Sequence, residues 1–413
     1  MTTTPARLLV TDAHLLHPEL GELTDTSWIE VVDGRIAAVG TGRPPTTPDD
    51  VQVLDAAGAT VMPGLVDAHV HVLLTDLGAS AMTSWTAGYA TVRALKEAER
   101  MLLRGFTTVR DVGGADRGMA RAIAEGLMPG PRLIFGGKAL SQTGGHGDLR
   151  SLEDEGTPCG HRPHFSRIAD GVDAVRTAAR DEFRKGAAHL KILVSGGVAS
   201  PHDEVSAVQY SDEELRVAVQ EAENHNRYVT VHAYHPRGIN RALRAGVRSV
   251  EHGNLLDDET IELLLAHDAF LVPTLITYEQ LAAFGRQAGM GAASHRKIEE
   301  VREAGLSALE KAHLAGVNLV YGSDLLGPMQ AAQLGEFALR AQVQPNHDVI
   351  RSATTTAARL LGMEGQIGTL SEGAHADLLV LDGNPLDDIG VLAEPADRLR
   401  HVVQAGTPIT IAG

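Results

Sequence analysis

The chain has 413 residues, 43% hydrophobic and 22% charged, a soluble globular composition rather than a disordered or collagen-like one. A formal net charge of −17 makes it a poor partner for nucleic acid or an anionic membrane surface. One cysteine, Cys159, excludes a disulfide framework or a multi-thiolate zinc site, whereas 19 histidines direct attention to nitrogen-ligated metals.

Met1-Thr2-Thr3-Thr4-Pro5-Ala6-Arg7 leads into only a short apolar stretch, Leu8-Leu9-Val10. A secretory signal needs about 7–15 apolar residues and a membrane helix about 18. Neither pattern is found, so a cytoplasmic protein with no membrane partner is expected. Trp28-Ile29-Glu30-Val31-Val32, Asp33-Gly34 and Ile36-Ala37-Ala38-Val39 read as two strands joined by a hairpin turn.

From residue 61 onward, apolar runs at 61–72, 107–112, 132–135, 190–194, 229–233, 247–251, 270–275 and 318–321 alternate with helical patterns. In 91–104, for example, Val92, Leu95, Ala98 and Leu102 recur at helical spacing. Ser211-Asp212-Glu213-Glu214 opens another helix with a capping-box pattern. Eight strand–helix units predict an α/β fold, a (β/α)8 TIM barrel, over 63–363. The strand-rich tail, with Leu378-Leu379-Val380-Leu381 and His401-Val402-Val403-Gln404, resembles the N-terminal stretch. The two ends, 1–62 with 364–413, are expected to form one small β-sandwich domain. The segment 138–169, which contains Cys159, His161 and His164, lacks periodicity and reads as a long loop covering the substrate.

Barrel enzymes carry their chemistry at the C-terminal ends of the strands. The first strand ends Asp67-Ala68-His69-Val70-His71, and period-two alternation turns His69 and His71 to one face. Two such imidazoles are half of a metal site, although a packed histidine pair fits the same residues. Lys191 sits inside the apolar fourth run. Burial there favours the free amine, which can add CO2 to give an anionic carbamate able to bridge two cations. A lysine snorkelling to the surface is the alternative. His232 ends the fifth strand, His252 the sixth and Asp324 the eighth. Each alone fits a helix cap or a rim residue. Filled in barrel order, the five stations point together to a metal centre.

That series, with Val61-Met62-Pro63-Gly64-Leu65-Val66 before it and Gly368-Thr369-Leu370-Ser371-Glu372-Gly373-Ala374-His375-Ala376-Asp377 near the end, resembles the amidohydrolase superfamily in its two-metal, carboxylated-lysine form. The resemblance spans nearly the whole chain. It implies two divalent metal ions, zinc being expected from the imidazole and carboxylate ligands, with Mn2+ and Co2+ also compatible. His69, His71 and Asp324 would hold the more buried ion, His232 and His252 the more exposed one, and Lys191 carboxylated by CO2 would bridge both. A metal-bridging hydroxide would attack the substrate, and Asp324 would carry its proton to the leaving amine.

Ser141-Gln142-Thr143-Gly144-Gly145-His146-Gly147-Asp148, Ser195-Gly196-Gly197-Val198-Ala199-Ser200-Pro201 and His232-Ala233-Tyr234 narrow the resemblance. They are similar to a subgroup of Xaa-Pro and Xaa-Arg/Lys dipeptidases, ochratoxin-type amidases and imidazolonepropionase-like hydrolases. This implies that His146 and Tyr234 lie over the metals and hydrogen-bond the reacting carbonyl. The implied function is hydrolysis of an amide bond in a small peptide or N-acyl amino acid, by a homo-oligomer acting on small-molecule substrates. Hydrolysis of a carbamate, a cyclic amide or a lactone is the alternative. A nucleobase deaminase is disfavoured because Lys191 is present and position 235 is His, where those enzymes carry Glu. An inactive binding barrel is disfavoured because every ligand station is filled. Arg237, Tyr278 and Glu279, with His202 and His235, are further candidates for facing the substrate.

Overall fold

The computed structural model describes residues 7–44, 51–77, 82, 84–150, 153, 156, 165–200, 203–287, 289–394 and 398–410. Cys159, His161, His164 and His202 lie outside the described residues. The N-terminal strands are β1 (Arg7–His17), β2 (Glu22–Val32), β3 (Arg35–Thr41), β4 (Gln52–Asp55) and β5 (Thr60–Pro63). β2 and β3 form the predicted hairpin. Asp33 and Gly34 both have positive φ, 49° and 76°, the left-handed pair that a tight two-residue turn between twisted strands requires.

Two parallel sheets follow. β6 (Leu65–Val70), β7 (Phe106–Asp111) and β8 (Arg132–Phe135) form one. β9 (Ala139–Ser141), β10 (Ser166–Ile168), β11 (His189–Leu193), β12 (Tyr228–Ala233), β13 (Ser249–His252), β14 (Phe270–Val272) and β15 (Asn318–Leu319) form the other, in the order β10-β9-β11-β12-β13-β14-β15. Helices including Ala87–Leu103, Val172–Arg184, Asp212–Asn224 and Ala292–Leu314 separate the strands. Backbone bonds link both edges of the three-stranded sheet to the seven-stranded one. Ala68 N donates to Tyr321 O at 2.9 Å on one side, and Ala188 N to Phe135 O at 2.9 Å on the other.

The segment 138–169 differs from its expected loop character, because it contains β9 and β10. Each has only three residues, too few to write a readable alternation. The chain reaches β9 through Gly136-Gly137, and there it changes partner from β7 to β11. A Cβ at Gly136 would sit 2.6 Å from His189 Nε2, and one at Gly137 would sit 2.3 Å from Glu182 Oε2. Only glycine permits so close an approach.

The C-terminal strands, β16 (Leu378–Leu381), β17 (Leu399–Gln404) and β18 (Thr407–Thr410), join the first five in one eight-stranded sheet. β16 pairs antiparallel with β5, which stitches the two chain ends together. Leu8, Val10, Ile29, Val61, Leu378 and Val380 pack into a core separate from the main one. Among the described residues, no helix is long and apolar enough to cross a membrane.

Candidate active site

The strand ends converge on one cavity of about 540 Å3, lined by His69, His71, His146, Lys191, His232, Tyr234, His252 and Asp324. Every metal-ligand and catalytic candidate read from the sequence is therefore on its wall. His69 leaves β6 with its ring buried, and His71 follows just past the strand end. Their Nε2 atoms lie 3.3 and 3.4 Å from the same oxygen, Oδ1 of Asp324. Ligand atoms of these three residues all lie within 4.8 Å of one another, a spacing one cation can span. Asp324 N donates to His69 O at 2.8 Å, so the eighth strand end is held directly against the first.

A second group stands beside the first. The His232 ring at the end of β12 lies 4.5 Å from that of His252, centroid to centroid, and His252 lies 5.1 Å from His69. His146 stacks on His232 at 4.5 Å with an interplanar angle of 18°. The loop that carries His146 fits because residue 197 is glycine, since a Cβ there would lie 1.9 Å from His146 Cε1. Tyr278 OH donates to Tyr234 OH at 3.4 Å.

The donor set fits a metal centre in its outer contacts. A ligating imidazole normally spends its second nitrogen on a protein partner, which fixes tautomer and tilt. His69 Nδ1 lies 2.7 Å from Glu251 Oε2, and His71 Nδ1 lies 2.7 Å from Gly113 O. His232 Nε2 lies 3.2 Å from Gly196 O. His252 Nδ1 is 2.8 Å from Thr274 Oγ1 and 2.9 Å from Tyr278 OH. On each ring the remaining nitrogen is the one available to a cation. His252, Thr274 and Asp324 have φ of 75°, 51° and 51°. Three non-glycine residues in the left-handed region at neighbouring strand ends is strain gathered where side chains must be aimed.

Electrostatics agree with that assignment for three of the four rings; at His69, burial acts to lower the pKa but Asp324 and Glu251 outweigh it and raise the ring above the ordinary imidazole value. Burial lowers His71 to about 4 and pushes His232 and His252 well below the ordinary imidazole value, so all three present neutral rings. Burial also brings the Lys191 amine down to about 8, against the upward pull of Glu251 and Asp324. For Asp324, burial acts to raise the pKa, but His69, His71 and Lys191 outweigh it and hold the carboxylate at about 2. Burial pushes the Tyr234 hydroxyl well up, so it keeps its proton.

Residues 60–408 match the amidohydrolase family. Ochratoxinase from Aspergillus niger is 33% identical, over 98% of this chain and 87% of its own length.

The chain belongs to the amidohydrolase family.

A crystal structure of a prolidase complexed with N-methylphosphonate-L-proline is 46% identical to this amidohydrolase, with a TM-score of 0.95 over 98% of this chain and 99% of that one. That of a Xaa-Pro dipeptidase with bound methionine in the active site is 28% identical, with a TM-score of 0.89 over 98% and 100%.

Not every sequence candidate reaches the amidohydrolase cavity. Tyr278 does. Glu279 instead points outward and pairs with Arg302 at 3.3 Å. Arg237 and His235 line a different cleft, where His235 caps the helix Pro236–Arg244. A side chain one position past a cavity-facing residue on a helix turns away by about 100°. Conversely, sequence reasoning gave no role to Asp111, whose carboxylate accepts from Val72 N at 2.7 Å and from Gly113 N at 3.0 Å, setting the carbonyl that holds His71. Asp67 likewise has no role legible from the sequence. It accepts from Ser323 Oγ at 2.6 Å and Gln333 Nε2 at 2.8 Å, tying the first strand end to the eighth. The one available signal was an acidic residue inside an apolar run, Asp67 in 61–72 and Asp111 in 107–112.

Proposed function

We propose that this amidohydrolase cleaves the amide bond of a small peptide or N-acyl amino acid with two divalent cations, zinc first among them, and Lys191 carboxylated by CO2. The observation that carries the reading is the convergence of His69, His71, His232, His252, Lys191 and Asp324 on one cavity, with the second nitrogen of each of those four imidazoles already engaged. We read the two parallel sheets as a (β/α)8 barrel over 63–363. We read the terminal sheet as a small β-sandwich formed by 1–62 with 364–413, and the whole as a cytoplasmic homo-oligomer. Sedimentation of the purified chain tests the oligomer; a monomer at all concentrations rejects it.

His69, His71 and Asp324 would hold one cation and His232 and His252 the other, with Lys191 between them. Bound there, the cations would supply Lewis acidity to the substrate carbonyl and to a water. The side chains supply the rest. Asp324, ionised at neutral pH, receives the proton of the attacking water at its carboxylate and passes it to the leaving nitrogen. The Tyr234 hydroxyl, kept protonated by burial, donates to the carbonyl oxygen as charge builds on it, with the neutral His146 ring beside it. Leu74, Leu77, Val198 and Leu281 line the same cavity and give it an apolar wall.

The prolidase and ochratoxinase relatives support Xaa-Pro dipeptides and N-acyl amino acids as the first substrates to try. Metal-free protein is reloaded with Zn2+, Mn2+ or Co2+ and screened against them by amine release. We expect turnover only in the loaded forms. Cleavage of lactones but of no amide by protein carrying two metals per chain would overturn the reading.

A further inference from the structure

Lys297 lies on the inner face of the helix Ala292–Leu314, beside the buried Ile298 and Val301, with its side chain only 8% exposed. A charged amine so placed needs its hydrogen bonds met inside the protein. All three ammonium hydrogens have an acceptor. Nζ donates to Gly197 O at 2.8 Å, Ser200 O at 2.5 Å and Asp203 O at 2.8 Å. The three carbonyls belong to one short loop after β11, and that loop contributes Val198, Ala199 and Ser200 to the wall of the substrate cavity. From the helix side, Ser294, one turn before Lys297, lines the same cavity.

The loop is also the bed of His146, since its Gly197 meets the imidazole ring face with no room for a Cβ. A second chain of contacts runs to the same histidine. Asp203 Oδ1 accepts from Gly197 N at 3.3 Å and its Oδ2 accepts from Gln209 Nε2 at 3.0 Å, while Gln209 Oε1 accepts from His146 N at 3.1 Å. Both chains start from backbone that Lys297 holds. An apolar side chain could fill the volume but not satisfy three carbonyls aimed at one point, and an arginine presents a flat fork instead of one apex.

We propose that Lys297 is a positioning residue that sets acyl-group specificity: its ammonium fixes the backbone of Gly197, Ser200 and Asp203, so that 197–200 form the acyl-side wall, and holds His146 over the reacting carbonyl. The proposal rests on the amide-hydrolase reading of the cavity. Without the staple the wall is free to recede, so discrimination among acyl groups weakens and His146 loses its seat, while the metal ligands, Lys191 within β11 and the others on separate strand ends, keep theirs.

The test compares wild type, K297M and K297R, all metal-loaded, on an amide that wild type turns over and on N-acyl analogues with shorter and longer apolar acyl groups. In K297M the metal content should match wild type. The kcat/KM for the preferred substrate should fall about 100-fold, and the preference between long and short acyl groups should shrink about tenfold, with K297R between the two. Amide hydrogen exchange across 196–204 should rise about tenfold in either variant, with the rest of Ala292–Leu314 unchanged. If K297M does not accumulate as folded protein, K297R is read by the same acyl-group ratio and exchange rates. A folded variant with wild-type acyl discrimination and unchanged exchange over 196–204 overturns the proposal. Wild type that cleaves no amide overturns the functional reading instead, and the exchange measurement still reports on the staple.

Discussion

Glu251 is fully buried, yet four groups converge on its two oxygens. His69 Nδ1 lies 2.7 Å from Oε2, while Arg110 Nη2 at 2.7 Å, Ser249 Oγ at 2.8 Å and Thr230 Oγ1 all address Oε1. Burial alone would raise such a carboxyl, but Arg110 and the His69 hydrogen bond override it and hold Glu251 well below the usual carboxylate range. The permanent anion fixes the His69 tautomer, which leaves Nε2 for the metal. In E251Q we expect metal affinity to fall about 10–100-fold, measured by competition with a chromogenic chelator. Affinity equal to wild type would mean that the contact is dispensable. His69 and His71 were legible because period two assigns faces without any knowledge of neighbours. Glu251 was not, because its value lies in Arg110 and His69, 141 and 182 residues away.

The elements themselves follow local rules that a sequence can state. Ser211 accepts from Glu214 N at 3.3 Å while Glu214 Oε2 accepts from Ser211 N at 2.8 Å, so the box written in the sequence caps the helix Asp212–Asn224. Glu214 Oε1 also accepts from Gly171 N at 2.7 Å, a tertiary use of the same side chain that no local pattern announces. S211A removes one cap acceptor and is expected to cost about 1 kcal/mol, read as a lower urea midpoint. An unchanged midpoint would mean that water satisfies the helix end equally well. Strand ends behave differently. β9 and β10 are invisible to periodicity, and the left-handed Thr274 and Asp324 contradict their own backbone preferences. Such conformations persist only where surrounding contacts over-determine them, here the His252–Thr274 bond and the Asp324–His69 backbone bond.

At the scale of the whole molecule, distant segments bury charge together. Glu336, on the helix Gly335–Arg340, is fully buried and accepts from Ile276 N at 2.8 Å. Burial pushes its pKa up to about 8, while Arg340 and the 275–276 backbone pull the other way without prevailing. Because the folded value lies above the ordinary 4.5, the folded state holds this proton more tightly than the unfolded chain. The stability this contributes is complete below pH about 4.5 and is lost as pH rises through about 8. The thermal midpoint of the wild type should therefore drop more steeply than that of E336Q as pH rises from about 5 to 9. Parallel curves would show that Glu336 does not titrate across that range.

By itself the sequence determined the alternation of strands and helices, the hairpin at Asp33-Gly34, and the residues at each strand end that could carry chemistry. These depend on spacing along the chain, which propensity and period express directly. Only the tertiary structure decided that Tyr278 enters the cavity while Glu279, Arg237 and His235 do not. It also decided that Glu251 and Asp111 aim the histidines, and that Lys297 holds the loop beneath His146. The aim of His69 and His71 and the seat of His146 depend on directions in space set by residues 42 to 182 positions away. A linear pattern carries no information about such directions until the backbone has closed around them.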